Sequence, residues 1–170
     1  DTAERVRKLG WNATEGFFAF GNGIFAGGSF RAVNELGIVR GDNGKAFYIP
    51  ATSKIYIHNQ EIFQFERLMV HENRNGVKLY DYVSRLTEVF GENANVAFCY
   101  LLATLFRDII FSRTRHFPIL NLFGEKGTGK TTLATSLQSF FLHGVDPPNL
   151  GVTSVPAMND RVSQAVNTLV

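Results

Sequence analysis

The chain has 170 residues, 45% hydrophobic and 19% charged, with 17 Lys and Arg against 15 Asp and Glu and a formal net charge of +2. This composition is typical of a globular protein and excludes a disordered one, while the near-neutral charge favours no class of partner. The single cysteine, Cys99, excludes an internal disulfide framework and indicates a reducing compartment. We therefore expect a cytoplasmic protein, and no membrane partner, since the longest apolar run, at 96–106, is too short to span a bilayer.

Residues 1–76 are predicted to form a β-rich N-terminal region. Residues 1–9 carry closely spaced charges and indicate a short helix or a linker. Two hairpins are predicted, at 16–25 around Gly21-Asn22-Gly23 and at 36–50 around Gly41-Asp42-Asn43-Gly44. Residues 54–58 alternate like a strand, residues 61–70 fit a strand or a helix about equally well, and residues 73–76 are predicted to form a turn.

The aromatic residues of this region allow two interpretations. Trp11 and the neighbouring phenylalanines could form a stacking surface for nucleic-acid bases. They could also be the core of a small sheet, and we favour this second interpretation because aromatic side chains dominate protein cores.

Residues 77–116 are predicted to be a helical segment. A first helix covers about 78–90 and ends at Gly91. A second begins near Asn93 or Asn95, either of which could cap it, and runs to about Phe111. Because the second helix is apolar nearly all round, we expect neighbours on several sides. Apolar residues recur at helical spacing in the first helix: Leu79, Tyr82, Val83, Leu86 and Phe90.

A group of basic residues follows, namely Arg107, Arg113, Arg115 and His116. These residues could serve the nucleotide of a neighbouring subunit or a nucleic-acid backbone. The favoured alternative is a solvated helix end, where cations complement the partial negative charge of the helix C-terminus.

Residues 124–131 read Gly-Glu-Lys-Gly-Thr-Gly-Lys-Thr, which fits the phosphate-loop pattern. The glycines let the backbone turn tightly, so that several N–H groups can surround phosphate oxygens. Lys130 would reach the β- and γ-phosphates, and the Thr131 hydroxyl would bind Mg²⁺. The following helix would direct its partial positive charge at the same anion.

The flanks of this loop are those of a P-loop NTPase domain over residues 117–170. Phe117 to Phe123 is predicted to be a buried parallel strand, and the helix after the loop is predicted to end near His143. A loop at 146–149, a strand at 150–155 and a helix with Pro156 in its first turn are predicted to follow. Residues expected to share one face of that last helix are Met158, Val162, Ala165, Val166 and Leu169.

The fold predicted is therefore α/β: the start of a P-loop NTPase domain, with a parallel sheet and flanking helices, preceded by a helical segment and a small β-rich region. A domain of this kind needs a later strand ending in an acidic, Mg²⁺-binding residue. No such strand is complete in the sequence. We therefore expect the chain to be a piece of a longer protein, truncated before that strand.

The surroundings of the loop resemble the helicase-type (AAA+/superfamily 3-like) region of DNA primase-helicase proteins carried by mobile elements and phages. Residues 151–170 are similar to the family stretch that leads into the acidic strand. The stretches that carry the resemblance are Leu79-Tyr80-Asp81-Tyr82, Val89-Phe90-Gly91-Glu92-Asn93-Ala94, Leu101-Leu102-Ala103-Thr104-Leu105-Phe106-Arg107-Asp108 and Phe117 to Gly124.

This resemblance implies an ATPase that works as a homo-oligomeric ring, expected to be a hexamer, on single- or double-stranded DNA during replication. The implied cofactors are ATP and Mg²⁺, with Lys130 and Thr131 catalytic and Thr131 the metal ligand. We expect the fragment alone to be inactive. The residues expected to bind ATP are Gly124, Glu125, Lys126, Gly127, Thr128, Gly129, Lys130, Thr131 and Thr132.

Two other functional classes stay open. The chain could be a nucleotide-regulated switch or an assembly ATPase that does not act on DNA. A small-molecule kinase is less favoured, because such kinases usually begin directly with the strand before the loop.

Overall fold

The fold is seen in a computed structural model, which describes residues 2–59, 61–72, 77–144 and 153–169. The chain divides into two compact units. Apart from the undescribed positions, the first takes in residues 1–71 and 141–166, and the second takes in residues 72–140 and 167–169. The predicted α/β class is confirmed at this coarse level, since helices are combined with two sheets.

Both sheets belong to the first unit and are built from short strands. The strands are β1 (Glu4–Arg5), β2 (Leu9–Asn12), β3 (Phe17–Phe20), β4 (Gly23–Ala26), β5 (Ser29–Ala32), β6 (Ile38–Arg40), β7 (Ala46–Tyr48) and β8 (Ala165–Val166). One sheet has the order β5-β4-β3-β2-β8, in which β2 to β5 are antiparallel neighbours and β8 runs parallel to β2. The other has the order β1-β7-β6, with β1 parallel and β6 antiparallel to β7.

Both predicted hairpins are confirmed. β3 and β4 pair antiparallel, with Phe20 opposite Gly23 across the first turn. β6 and β7 pair across the second turn, where the Gly41 N–H donates to the Lys45 carbonyl at 3.0 Å. Gly44 has a φ of 78°, a conformation that glycine adopts at no steric cost.

The core of the first unit contains aromatic residues from both sheets. Phe17 and Phe47 meet edge to face, with ring centroids 4.8 Å apart, and are 1% and 2% exposed. On the opposite face of the five-stranded sheet, Phe18 stacks on Phe141 and Phe30 stacks on His71, at 6.4 and 4.2 Å between centroids. Since these partners cover ring faces, the contacts favour the core interpretation of the aromatic cluster.

The predicted strand over residues 54–58 is wrong. Two short 3-10 helices occupy Pro50–Thr52 and Lys54–Tyr56. The Ser53 hydroxyl accepts a hydrogen bond from the Ile55 N–H at 3.3 Å, so a local side-chain bond replaces a ladder bond. In the following segment, which fits strand and helix equally well by sequence, a helix forms: α1 (Gln64–Leu68).

The two ends of the chain also differ from the predictions. Residues 1–9 contain β1 and the first residue of β2 in place of a short helix. Helix α6 (Val155–Ser163) includes Pro156 in its first turn, as predicted. It ends before Ala165 and Val166, which pair with Leu9 and Gly10. The helical face predicted for Met158, Val162, Ala165, Val166 and Leu169 is therefore wrong.

The second unit contains α2 (Leu79–Phe90), α3 (Glu92–Leu105), α4 (Arg107–Thr114) and α5 (Lys130–Gln138). Helix α2 agrees with the prediction, and Gly91, with a φ of 61°, ends it. The single helix predicted as far as Phe111 is wrong, because α3 and α4 are bent by 85° at Phe106. Over the described residues, no single helix is long and apolar enough to cross a bilayer, and α3 and α4 pass that test only as a bent pair.

The buried strand predicted at residues 117–123 is not formed. The segment pairs with no strand that the structure describes, and Ile119 and Phe123 are 90% and 96% exposed. A strand takes its backbone hydrogen bonds from a neighbouring strand, which an apolar run does not itself supply. The parallel sheet of a P-loop domain therefore stays a prediction.

The helix after the loop, α5, ends at Gln138 and not near His143. Its Leu133 and Leu137 are buried, whereas Phe140 beyond its end is 40% exposed. The turn predicted at 73–76 and the loop predicted at 146–149 lie outside the described residues. So does the first part of the strand predicted at 150–155, while Val155 begins α6.

Candidate phosphate-binding site

The glycine-rich loop connects the extended segment 117–123 to α5. Its three motif glycines, Gly124, Gly127 and Gly129, have φ values of 153°, 89° and 81°. At Gly127 and Gly129 these values are left-handed, a conformation that costs a residue with a side chain about 1–2 kcal/mol. The loop thus has the backbone conformation for which the motif requires glycine.

The Lys130 ammonium lies against the loop itself. Its Nζ donates to the Gly124 carbonyl at 2.9 Å, to the Glu125 carbonyl at 2.5 Å and to the Thr128 hydroxyl at 3.2 Å. The Thr128 hydroxyl donates to the Glu125 carbonyl at 2.9 Å. Because an ammonium has three donors, the loop oxygens occupy all of them. A phosphate oxygen could take the place of these acceptors.

Helix α5 begins at Lys130, directly after the loop. Gly129 is its N-cap residue, no side chain caps the helix, and its first turn has no acidic residue. The N–H groups of the first turn consequently have no side-chain acceptor, and the partial positive charge of the helix is uncompensated. Thr131 and Thr132 are exposed in this turn. Such a helix end suits an anion.

A cleft of about 460 Å³ adjoins the loop. It is lined by residues 120–124 and 128–130, by Leu133, and by the adjoining ends of α2 and α3, including Phe90 and Asn93. The Phe90 ring packs against Gly129, where a Cβ would lie 3.0 Å from the Phe90 Cε1. The cleft combines apolar side chains with the polar side chains of Asn93, Asn121, Thr128 and Lys130.

The fit of the site to Mg²⁺ rests on Thr131. Its hydroxyl is exposed and has no hydrogen-bond partner among the described residues, so it is free to act as one ligand. The described part of the chain holds no group of three or more His, Cys, Asp or Glu side chains placed to bind a metal ion. The described residues of the site therefore supply one hydroxyl ligand for Mg²⁺, that of Thr131. The acidic ligand that the resemblance implies has no matched position in the sequence.

The predicted site residues divide into two groups. The structure brings the Gly124 and Glu125 carbonyls together with Thr128 and Lys130 through hydrogen bonds, with Gly127 and Gly129 shaping the turn. Lys126, Thr131 and Thr132 are exposed and make no hydrogen bond to this cluster.

Sequence reasoning did not assign Phe90 and Asn93 to this site. Phe90 reads as the last apolar residue of a helix face, and Asn93 reads as a helix cap. They lie beside the loop because of how α2 and α3 pack, and no sequence pattern near the loop predicts that packing.

Comparisons of this chain with protein-family models, with curated proteins and with solved structures gave no match. The assignment of a function therefore depends on the loop and on its surroundings.

Proposed function

We propose that residues 124–132 bind the triphosphate of ATP together with Mg²⁺. The observation that carries this proposal is the arrangement of Lys130, whose ammonium is held by loop oxygens at the uncapped N-terminus of α5. A loop of this kind offers backbone N–H groups, a mobile cation and a helix end to one anion.

The roles of the residues follow from their chemistry. The loop amides from Gly124 to Thr132 hold phosphate oxygens, Lys130 neutralises the charge that develops on the γ-phosphoryl group, and the Thr131 hydroxyl is a ligand of Mg²⁺. When bound, the metal ion neutralises charge on the β- and γ-phosphates. We assign the nucleoside to the cleft beside Phe90 and Asn93, because this cleft adjoins residues 128–130.

At the level of the whole protein, we propose the ATP-binding segment of a DNA helicase or primase-helicase that replicates a mobile element or a phage. The protein works as a homo-oligomeric ring, in which ATP binding shifts packed elements and moves DNA. This part of the proposal is supported by the resemblance of the stretches around the loop to helicase-type regions.

The runner-up is a switch or assembly ATPase that binds nucleotide without acting on DNA. Residues 124–132 support this candidate as well, because the loop would hold a triphosphate in the same way in either kind of protein.

DNA-stimulated ATP turnover separates the two candidates. In the full protein, we expect single-stranded DNA to raise the rate of phosphate release, and Lys130→Ala to reduce it to background by removing transition-state charge stabilisation. A rate that does not respond to DNA would favour the switch. Undiminished turnover in Lys130→Ala would contradict the site itself.

A further inference from the structure

The Lys130 ammonium has three N–H donors, and oxygens of the loop take up all of them. Its Nζ donates to the Gly124 carbonyl at 2.9 Å, to the Glu125 carbonyl at 2.5 Å and to the Thr128 hydroxyl at 3.2 Å. A phosphate oxygen therefore accepts a hydrogen bond from this ammonium only after one of these acceptors has released it. The oxygens of the loop thus compete with phosphate for one cation.

The Thr128 hydroxyl is the one acceptor of the three that belongs to a side chain. It accepts from the Lys130 Nζ and donates to the Glu125 carbonyl at 2.9 Å. A Cβ added at Gly124 would lie 3.3 Å from the Thr128 Oγ1 and 4.0 Å from the Lys130 Nζ, so both groups lie close to Gly124. The hydroxyl therefore links Lys130 to the beginning of the loop.

The acceptors of Lys130 are all uncharged. Two are backbone carbonyls and one is a hydroxyl, and Lys130 forms no ion pair with a described carboxylate. A phosphate carries negative charge and attracts an ammonium more strongly than an uncharged oxygen does. The loop contacts therefore oppose phosphate binding by a modest amount and do not prevent it.

We propose that the Thr128 hydroxyl restrains Lys130 and thereby slows the binding of a triphosphate to the loop. Lys130 has to leave the hydroxyl before it contacts a phosphate, so their hydrogen bond opposes association. Because phosphate then takes the place of the hydroxyl, the same bond does not hold the bound nucleotide. This inference rests on the proposed function, to which it adds a restraint on the rate of binding.

The first test measures the restraint on Lys130 without a nucleotide. An amine held in hydrogen bonds to the loop reacts slowly with the N-hydroxysuccinimide ester of acetic acid, and peptide mass spectrometry follows the acetylation of each lysine. Exposed Lys126, which makes no hydrogen bond to the cluster, is the internal reference. Thr128→Val keeps the shape of the side chain and removes the hydroxyl. It is expected to raise the rate at Lys130 by roughly two- to fivefold, the effect of a weak hydrogen bond, and to leave the rate at Lys126 unchanged.

Two further variants separate the hydroxyl from a general loosening of the loop. Thr128→Ser, which restores a hydroxyl, is expected to restore slow acetylation of Lys130. Thr135→Val makes the same chemical change at an exposed threonine of α5 and is expected to leave acetylation of Lys130 unchanged. An equal rise at Lys126 and Lys130 in Thr128→Val would overturn the proposal, and so would an unchanged rate at Lys130.

The second test measures the kinetics of nucleotide binding by stopped flow, with the Mg²⁺ complex of a fluorescent N-methylanthraniloyl derivative of ATP. Thr128→Val is expected to raise the association rate constant by roughly two- to fivefold and to leave the dissociation rate constant unchanged. Thr135→Val is expected to change neither constant. Faster dissociation from Thr128→Val would contradict the inference, since it would show that the hydroxyl contacts the bound nucleotide.

The two tests together distinguish a failure of this inference from a failure of the proposed function. If the unchanged chain does not bind the nucleotide, the proposed function fails, and acetylation still decides whether Thr128 restrains Lys130. If the nucleotide binds while Thr128→Val changes neither acetylation nor association, only the restraint by Thr128 fails.

Discussion

Gly129 lies at the junction of the loop and α5, with the Phe90 ring packed against it. Its φ of 81° is left-handed, and an added Cβ would lie 3.0 Å from the Phe90 Cε1. Gly127 has a similar φ of 89°, but a Cβ there would meet nothing within 4 Å. Substitution of Gly127 therefore tests backbone strain alone, whereas substitution of Gly129 tests strain together with a clash against Phe90.

We predict that Gly129→Ala lowers the free energy of unfolding more than Gly127→Ala does. Both substitutions incur the left-handed penalty of about 1–2 kcal/mol, and only Gly129→Ala also displaces Phe90. Chemical denaturation followed by circular dichroism measures the difference. Phe90→Ala should relieve part of the added cost in a double-mutant cycle. Equal losses for the two glycine variants would show that the Phe90 contact is unimportant.

The loop also shows which features of a site a sequence motif can predict. The pattern at 124–131 predicts the loop and a helix directly after it, because both depend on residues that are close together in the sequence. It does not predict Phe90 and Asn93, which come to the site through the packing of α2 and α3.

At the scale of elements, α2 is joined to α5 by Tyr82. The Tyr82 hydroxyl lies 2.8 Å from the Ser136 hydroxyl, and its ring meets Phe140 edge to face at 4.8 Å between centroids.

Tyr82→Phe keeps the ring contact and removes the hydrogen bond. We predict a loss of about 0.5–1.5 kcal/mol of unfolding free energy, measured by urea titration. Tyr80→Phe is the control, since Tyr80 is 78% exposed. Equal effects of the two variants would contradict this role for the bond.

Tyr82 also predicts a dependence on alkaline pH. Burial raises the pKa of its phenol above the ordinary value of 10.0, and the Ser136 hydrogen bond offsets part of that rise. A pKa that is higher in the folded state means that the folded chain holds the proton more tightly. This stabilisation is complete below pH 10.0 and is lost as the pH rises through the folded-state pKa. Tyr82→Phe should show a smaller fall in stability over that range, and an unchanged fall would contradict the assignment.

Sequence patterns predicted those helices and hairpins whose formation depends on residues close together in the chain. The spacing from Leu79 to Phe90 and the stop at Gly91 predict α2, and glycine turns predict both hairpins. The bend at Phe106 was not predictable, because neither proline nor glycine marks it. The strand predicted at 54–58 failed because the Ser53 hydroxyl stabilises a local turn that alternation does not reveal.

At the scale of the whole molecule, the chain combines a unit that holds both sheets with a unit that holds the loop. The α/β class was predictable from the sequence, because glycine-punctuated and helical runs occupy different parts of the chain. The pairing of β8 with β2 was not predictable, since it joins Val166 to Gly10 across most of the sequence. Whether residues 117–123 form a strand likewise depends on a neighbouring strand, which the local sequence does not specify.

Calorimetric titration of the chain with Mg·ATP measures directly whether residues 124–132 bind ATP together with Mg²⁺. The chain is expected to bind, and Lys78→Ala, a matched control at an exposed lysine outside residues 124–132, is expected to bind with similar affinity. Lys130→Ala is expected to lose about 1.5–3 kcal/mol of binding free energy, roughly tenfold or more in affinity, because a charged hydrogen bond to phosphate is removed. Binding of Mg·ATP by Lys130→Ala as tight as by the unchanged chain would contradict a role of this loop in holding the triphosphate.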